Sequence, residues 1–160
     1  MADLTPRTDL IAVGDTVPDF TLTTDAREEW TLSDAVKQGD VVLCFFPFAF
    51  TSVCATEMKC ITDEMSQWET NGATVVGVSC DSFAALAAWK EQMGYKQTLL
   101  SDIHRTVCKG LGLYWADLNV ANRGTVIIGQ DASGAGTVTW SQAREPGSAM
   151  EWTQVAGQLA

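Results

Sequence analysis

The sequence predicts an α/β fold with a mixed, mostly parallel sheet flanked by helices, and three of its features lead there. Two short apolar runs, Val41-Val42-Leu43-Cys44-Phe45-Phe46 and Ala73-Thr74-Val75-Val76-Gly77-Val78-Ser79, have the β-branched and aromatic character of strands buried on both faces. Each is followed by a longer segment whose apolar residues recur every three or four positions, as on one face of a helix. Strand, helix, strand, helix in that order requires parallel strands joined by right-handed crossovers.

From the N-terminus, Val17-Pro18-Asp19-Phe20 and the polar stretch to Trp30 suit short edge strands or a hairpin. Thr31 to Lys37 suits a short helix entered through Thr31 or Ser33. Pro47 stops the first buried strand, since proline offers no donor to a sheet ladder. Cys54, Met58, Ile61, Met65 and Trp68 define one face of a helix running to Asn71-Gly72, with Thr51 or Ser52 as N-cap. After the second buried strand, Asp81 or Ser82 caps a helix carrying Phe83, Leu86, Trp89 and Met93. A shorter strand is expected near Thr98 to Leu100, a helix from Ile103 to Leu111, and a strand from Arg123 to Ile128. Thr137 to Ser141 is its expected hairpin partner, reached through Gly129 to Gly136, and Ser148 to Leu159 a closing helix. No repeat, low-complexity tract or linker interrupts the chain, so residues 1–160 read as one domain.

Composition excludes several classes. A chain of 160 residues with 46% hydrophobic content can bury a core without staples. Twenty acidic residues against ten basic ones give a scattered net charge of −10, which repels phosphate backbones and argues against a nucleic-acid partner. No apolar run reaches the ~18 residues of a membrane-spanning helix. Met1-Ala2-Asp3-Leu4-Thr5-Pro6-Arg7 lacks a basic segment followed by an apolar stretch, so no secretory leader is read there and the cytoplasm is the expected location. Five cysteines without a regular framework suit a reducing compartment, and without a C-x-x-C pair they lack the motif of a thiol–disulfide oxidoreductase. Cys44, Cys54, Cys60, Cys80 and Cys108 with the single His104 supply no closely spaced zinc ligands. Nothing around His104 pairs it with a cysteine, which argues against a cysteine hydrolase.

Cys54 is the residue best placed for chemistry. It falls in the first turn of its helix, where free backbone N–H groups and the positive end of the dipole favour a thiolate. Thiolate formation alone accounts for little. A thiol moved from a pKa of about 8.5 to about 6 gains roughly thirtyfold in anion at neutral pH, and lost nucleophilicity offsets roughly 13-fold of that. A fast reaction must draw mainly on donors that align the other reactant and stabilise charge in the transition state. Glu57, three positions on, shares the face of Cys54; unpaired, its carboxylate would oppose the thiolate, so it needs a partner.

The pattern Pro47-x-x-x-Thr51-x-x-Cys54, between a buried strand and a helix, resembles the active-site signature of the peroxiredoxins, thiol-dependent peroxidases with a thioredoxin-like fold. The similarity extends over Gly14 to Leu22, Ala49 to Glu57, Leu99-Leu100-Ser101-Asp102 and Ala121-Asn122-Arg123-Gly124-Thr125. It is closest to the one-cysteine alkyl hydroperoxide reductase E type, with the bacterioferritin-comigratory type next. The resemblance implies that Cys54 attacks the terminal oxygen of hydrogen peroxide or an organic hydroperoxide and becomes a sulfenic acid. An external thiol, a thioredoxin-like protein or a low-molecular-weight thiol, would then reduce it. The resemblance assigns Thr51 and the Cys54 backbone N–H to hydrogen-bonding peroxide and thiolate, and Pro47 to shielding the thiolate from water. It brings Arg123, at the start of a strand antiparallel to the one before Cys54, beside the thiol, with Glu57 orienting it. It implies a homodimer and neither a metal nor an organic cofactor.

The other cysteines bear on regeneration. Cys60 is six positions after Cys54, ~9 Å along an intact helix and ~120° round it, beyond disulfide reach unless the helix unwinds. The bacterioferritin-comigratory type often carries its resolving cysteine five positions on. Cys80 follows a strand neighbouring that of Cys54, near the C-terminal sheet edge where α/β sites form, and is the other candidate resolving residue. Cys44 and Cys108 read as packed residues. A second functional reading keeps Cys54 but has it pass its oxidation to a partner, as a peroxide sensor or chaperone-like protein.

Overall fold

The computed structural model describes residues 4–159; Met1, Ala2 and Asp3, part of the stretch read for a leader, lie outside the described residues. The chain runs β1 (Thr21–Thr24), β2 (Glu29–Thr31), α1 (Leu32–Val36), β3 (Val41–Phe45), α2 (Ser52–Asp63), α3 (Met65–Thr70), β4 (Thr74–Ser79) and α4 (Phe83–Met93). It continues through β5 (Leu99–Ser101), α5 (Thr106–Gly110), β6 (Tyr114–Trp115), β7 (Val120–Ala121), β8 (Gly124–Gln130), β9 (Gly136–Ala143) and α6 (Trp152–Ala156).

Seven strands form one sheet in the order β2-β1-β5-β4-β3-β8-β9, and β6 with β7 makes a separate ribbon. The sheet is mixed, but parallel pairing is confined to β3 with β4 and β4 with β5. Hairpins β1–β2 and β8–β9 extend both edges antiparallel, because a hairpin needs no crossover helix.

Residues alternate across the sheet as a strand's period of two requires. Val42, Cys44 and Phe46 face one side with Cys54, Met58, Leu86 and Trp89, while Val41, Leu43 and Phe45 face the other with Val76, Val78, Val107 and Cys108. Helices α2, α4 and α6 cover the first face; α1 and α5 cover the second. Gly77 in β4 admits α2 closely, since a Cβ there would lie 2.6 Å from Met58 Sδ.

Three helices differ from the sequence reading. The helix expected to run from Cys54 to Asn71 breaks at Glu64 (φ −97°, ψ 13°), and the break lets the Trp68 indole N–H donate to the Ile61 carbonyl at 3.1 Å. Helix α5 starts only at Thr106 because Arg105 takes a left-handed φ of 60°. The closing helix is reduced to Trp152–Ala156, its approach occupied by extended chain.

Candidate active site

The loop from Pro47 to Thr51 turns the end of β3 into α2. Phe46 N–H donates to the Val78 carbonyl at 3.0 Å, holding the strand end against β4. Ala49 N–H donates to Asp81 Oδ2 at 2.9 Å, and the Ser79 hydroxyl donates to the same oxygen at 2.7 Å. Phe50 sits at φ 65°, a conformation uncommon for a bulky residue, and so reverses the chain into the helix. Thr51 is the N-cap by position, yet its hydroxyl donates back to the Phe48 carbonyl at 2.8 Å and not to the helix. Cys54, third residue of α2, is 1% exposed, and Pro47 is buried beside it.

The strand register delivers the cation. Phe45 pairs with Gly124, so Arg123 precedes β8 at the C-terminal end of β3. Its Nη2 donates to Cys54 Sγ at 3.2 Å, its Nη1 to Glu57 Oε1, and its Nε to the Pro146 carbonyl at 2.9 Å. Arg123 and Glu57 are 3% and 1% exposed, which excludes the ordinary surface roles either could have had. Glu57 has further partners: its Oε2 accepts from Arg144 Nη2 at 2.9 Å and from the Met150 N–H at 2.8 Å. Arg144 is steadied in turn by Thr125 Oγ1 at 2.9 Å. Two guanidinium groups thus flank the Glu57 carboxylate, and one of them, Arg123, also reaches the thiol.

A cavity of about 220 Å³ opens over this group. Phe48, Trp115, Leu118 and Pro146 give it an apolar rim around Thr51, Cys54 and Arg123. Behind the thiol, the Tyr95 hydroxyl donates to the Ala55 carbonyl at 3.3 Å; burial, then the charge of Cys54, pushes that phenol up to about 12.

The expected cluster of Cys54, Thr51, Pro47, Arg123 and Glu57 is therefore brought together. The two candidate resolving residues are not brought to it. Cys60 is half-buried in an unbroken α2, and burial raises its thiol. Cys80 does sit at the C-terminal sheet edge, but it follows Val76 and Val78 onto the face opposite Cys54. Its sulfur lies 3.8 Å from that of Cys108. Cys44 is core, its thiol donating to Met150 Sδ at 3.4 Å and pushed up to about 12 by burial and then by Glu57. His104 is exposed. Among the described residues, one group offers metal-type ligands within 4.8 Å of one another, Cys80, Asp102 and Cys108, a set that sequence spacing does not reveal. Arg144 escapes the sequence reading, and Asp81, read as a possible cap of α4, leaves that role to Ser82 and instead holds the loop before α2. The pairing of Gly124 with Ala143, which sets Arg144 against Arg123, is the signal that would have found the former.

Residues 13–137 match the model of the AhpC/TSA family. The chain belongs to this family, the peroxiredoxins. It is 33% identical over 155 residues to a putative peroxiredoxin bcp of Coxiella burnetii, covering 93% of this chain and 99% of that protein. It is 28% identical to alkyl hydroperoxide reductase E of Mycobacterium tuberculosis, over 94% of this chain and 99% of the relative. The crystal structure of peroxidoxin BcpB from Mycobacterium tuberculosis matches with a TM-score of 0.81 at 26% identity, covering 91% of this chain and 94% of that one. The fold is accordingly the thioredoxin-like fold of peroxiredoxins, and the activity is that of a thiol-dependent peroxidase, an oxidoreductase acting on peroxide. No helix among the described residues is long and apolar enough to cross a membrane.

Proposed function

We propose that Cys54 is the thiol at which this peroxiredoxin reduces its substrate. One observation carries the reading: Arg123 Nη2 lies 3.2 Å from Cys54 Sγ while Glu57 holds the same guanidinium through Nη1. The sulfur attacks the terminal oxygen of the peroxide. An S–O bond forms, the O–O bond breaks, and the departing oxygen takes a proton and leaves as water or an alcohol. Cys54 remains as a sulfenic acid, oxidised by two electrons. A guanidinium carries five N–H donors. Three of those on Arg123 serve Cys54, Glu57 and Pro146, and the remaining two, on Nη1 and Nη2, meet the peroxide oxygens as charge develops. Thr51, its own proton given to Phe48, acts as acceptor for the peroxide O–H. Buried Pro47 keeps water from the thiolate. The small cavity with an apolar rim suits hydrogen peroxide and compact organic hydroperoxides.

An external thiol then reduces the sulfenate, whether a thioredoxin-like protein or a small thiol. The distance of Cys60 along α2 and the opposite-face position of Cys80 support this route. Exposed Phe48, Phe50 and Leu118 around the site support a homodimer, and five free thiols support a cytoplasmic setting. Cys54→Ser is expected to abolish peroxide consumption with the fold intact; appreciable turnover by that variant would sink the assignment. Wild type and a Cys60→Ser, Cys80→Ser double variant should trap equal fractions of sulfenate. A Cys54–Cys60 or Cys54–Cys80 cross-link formed in wild type would reject the external route.

A further inference from the structure

The peroxidase chemistry leaves one thiol pair unused. Cys80 directly follows β4, and Asp102 directly follows β5. The two strands pair with Ser79 opposite Ser101, and Asp102 N–H donates to the Ser79 carbonyl at 2.7 Å, so residues 80 and 102 emerge side by side. The Asp102 carboxylate accepts the Val107 N–H at 3.2 Å and the Cys108 N–H at 2.8 Å, which fixes α5 over the strand ends. That places Cys108 Sγ 3.8 Å from Cys80 Sγ, with an Asp102 oxygen within 4.8 Å of both sulfurs. Cys108 is fully buried, while Cys80 keeps 6% exposure. Asp102 also lines a cavity of about 390 Å³ with Val107, the neighbour of Cys108.

We propose that Cys80 and Cys108 form a second redox couple, a dithiol that hydroperoxide converts to a disulfide, on the sheet face opposite Cys54. The two sulfurs are already in van der Waals contact, and closure to an S–S bond of about 2.05 Å needs side-chain rotation and a small shift of α5. Cys80 is the nucleophile, since it keeps some exposure where Cys108 is fully buried, and the contact between the two lowers its pKa while raising that of Cys108. Cys80 sulfur attacks the peroxide, the O–O bond breaks, and water or alcohol departs with one proton, leaving a Cys80 sulfenic acid. Cys108 passes its proton to Asp102, whose carboxyl burial raises above the usual range, and attacks the Cys80 sulfur. The S–O bond breaks, and hydroxide recovers that proton as a second water. Two thiols lose two electrons and one peroxide gains them. Neither Arg123 nor Thr51 reaches this face, so the step should run at least ~100-fold slower than oxidation of Cys54. The couple therefore records peroxide that the main site has failed to clear, and its product ties the end of β4 to α5.

The test uses full-length Cys54→Ser protein, in which the faster thiol cannot compete. Hydrogen peroxide is added in excess, the protein is unfolded in iodoacetamide, and peptides are mapped by mass spectrometry without reduction. The expected result is a Cys80–Cys108 linked peptide, two hydrogens lighter than its parts, which dithiothreitol reverses, with Cys44 and Cys60 still alkylated. Adding Cys108→Ser should halt the reaction at a Cys80 sulfenate that dimedone captures. Full alkylation of both residues after peroxide overturns the proposal. So does linkage of either to another chain, or one zinc ion per chain in the native mass of the untreated protein. Because the assay omits Cys54, its outcome is independent of whether wild-type turnover upholds the peroxidase assignment.

Discussion

Replacing Glu57 by glutamine separates two explanations of a reactive Cys54. The carboxylate, 1% exposed, receives donors from Arg123 Nη1, Arg144 Nη2 and the Met150 N–H. Glutamine keeps the shape but offers one acceptor oxygen. That oxygen satisfies two donors if it turns toward Arg144 and Met150, which leaves the new NH₂ facing Arg123. Removing one partner of a buried ion pair costs about 3–5 kcal/mol, and the retained acceptor places the expected loss near the lower end, at ~3 kcal/mol. The folded-to-unfolded ratio should fall roughly 150-fold. Loss of a negative charge near the thiol favours the thiolate, so a rate set by thiolate fraction would hold or rise. A rate set by the placement of Arg123 should fall about 10²–10³-fold, as when one transition-state donor is lost. Urea denaturation reads the first effect, and thiolate ultraviolet absorbance with stopped-flow tryptophan fluorescence reads the second. Oxidation as fast as wild type, with more thiolate, would refute the orienting role.

Asp81→Ala should remove one hydrogen bond from the loop before α2 and one from Ser79 at the end of β4 and cost about 1–3 kcal/mol, while Asp81→Asn, which keeps an acceptor for Ala49, should recover most of it in urea titrations. The Cys44 thiol, pushed up to about 12 chiefly by burial, should be about one-thousandth ionised at pH 9 in the native state, so brief iodoacetamide treatment of native protein at that pH should leave it unmodified while the same treatment in denaturant alkylates it fully, as mass spectrometry can follow. Asp102 is raised chiefly by burial, so its contribution to stability is full below its unfolded value near 4 and is lost as pH rises through the folded one. The stability of wild type relative to Asp102→Asn should therefore decline as pH rises above about 4; a constant difference in denaturation free energy would contradict this.

What the sequence disclosed depended on whether the information was local. The buried strand, Pro47 and the helix start at Thr51 and Cys54 are written in neighbouring residues, and the motif resemblance supplied Arg123 and its link to Glu57. Arg144 was hidden because its place follows from the β8–β9 register, which shifts by an irregularity between Ile127 and Ile128 that no spacing announces. Cys80 was read to the correct sheet edge but to the wrong neighbourhood. Counting alternate residues back through Val78 and Val76 would have put it on the far face. The break at Glu64 carries no glycine or proline to mark it, and apolar spacing continues undisturbed across it.

The pairing of Phe45 with Gly124 also bears on the life of the chain before it is finished. During synthesis Cys54 emerges well ahead of Arg123, and the sheet that joins them cannot close until β8 has been made. Until then the thiol lacks both the guanidinium proposed to assist its attack and the cavity wall that Arg123 supplies. A nascent or denatured copy thus carries only an ordinary thiol, slow toward peroxide and slow to acquire the sulfenic acid through which unfinished chains would become cross-linked. On the proposed assignment, completion of the fold is itself what arms the nucleophile.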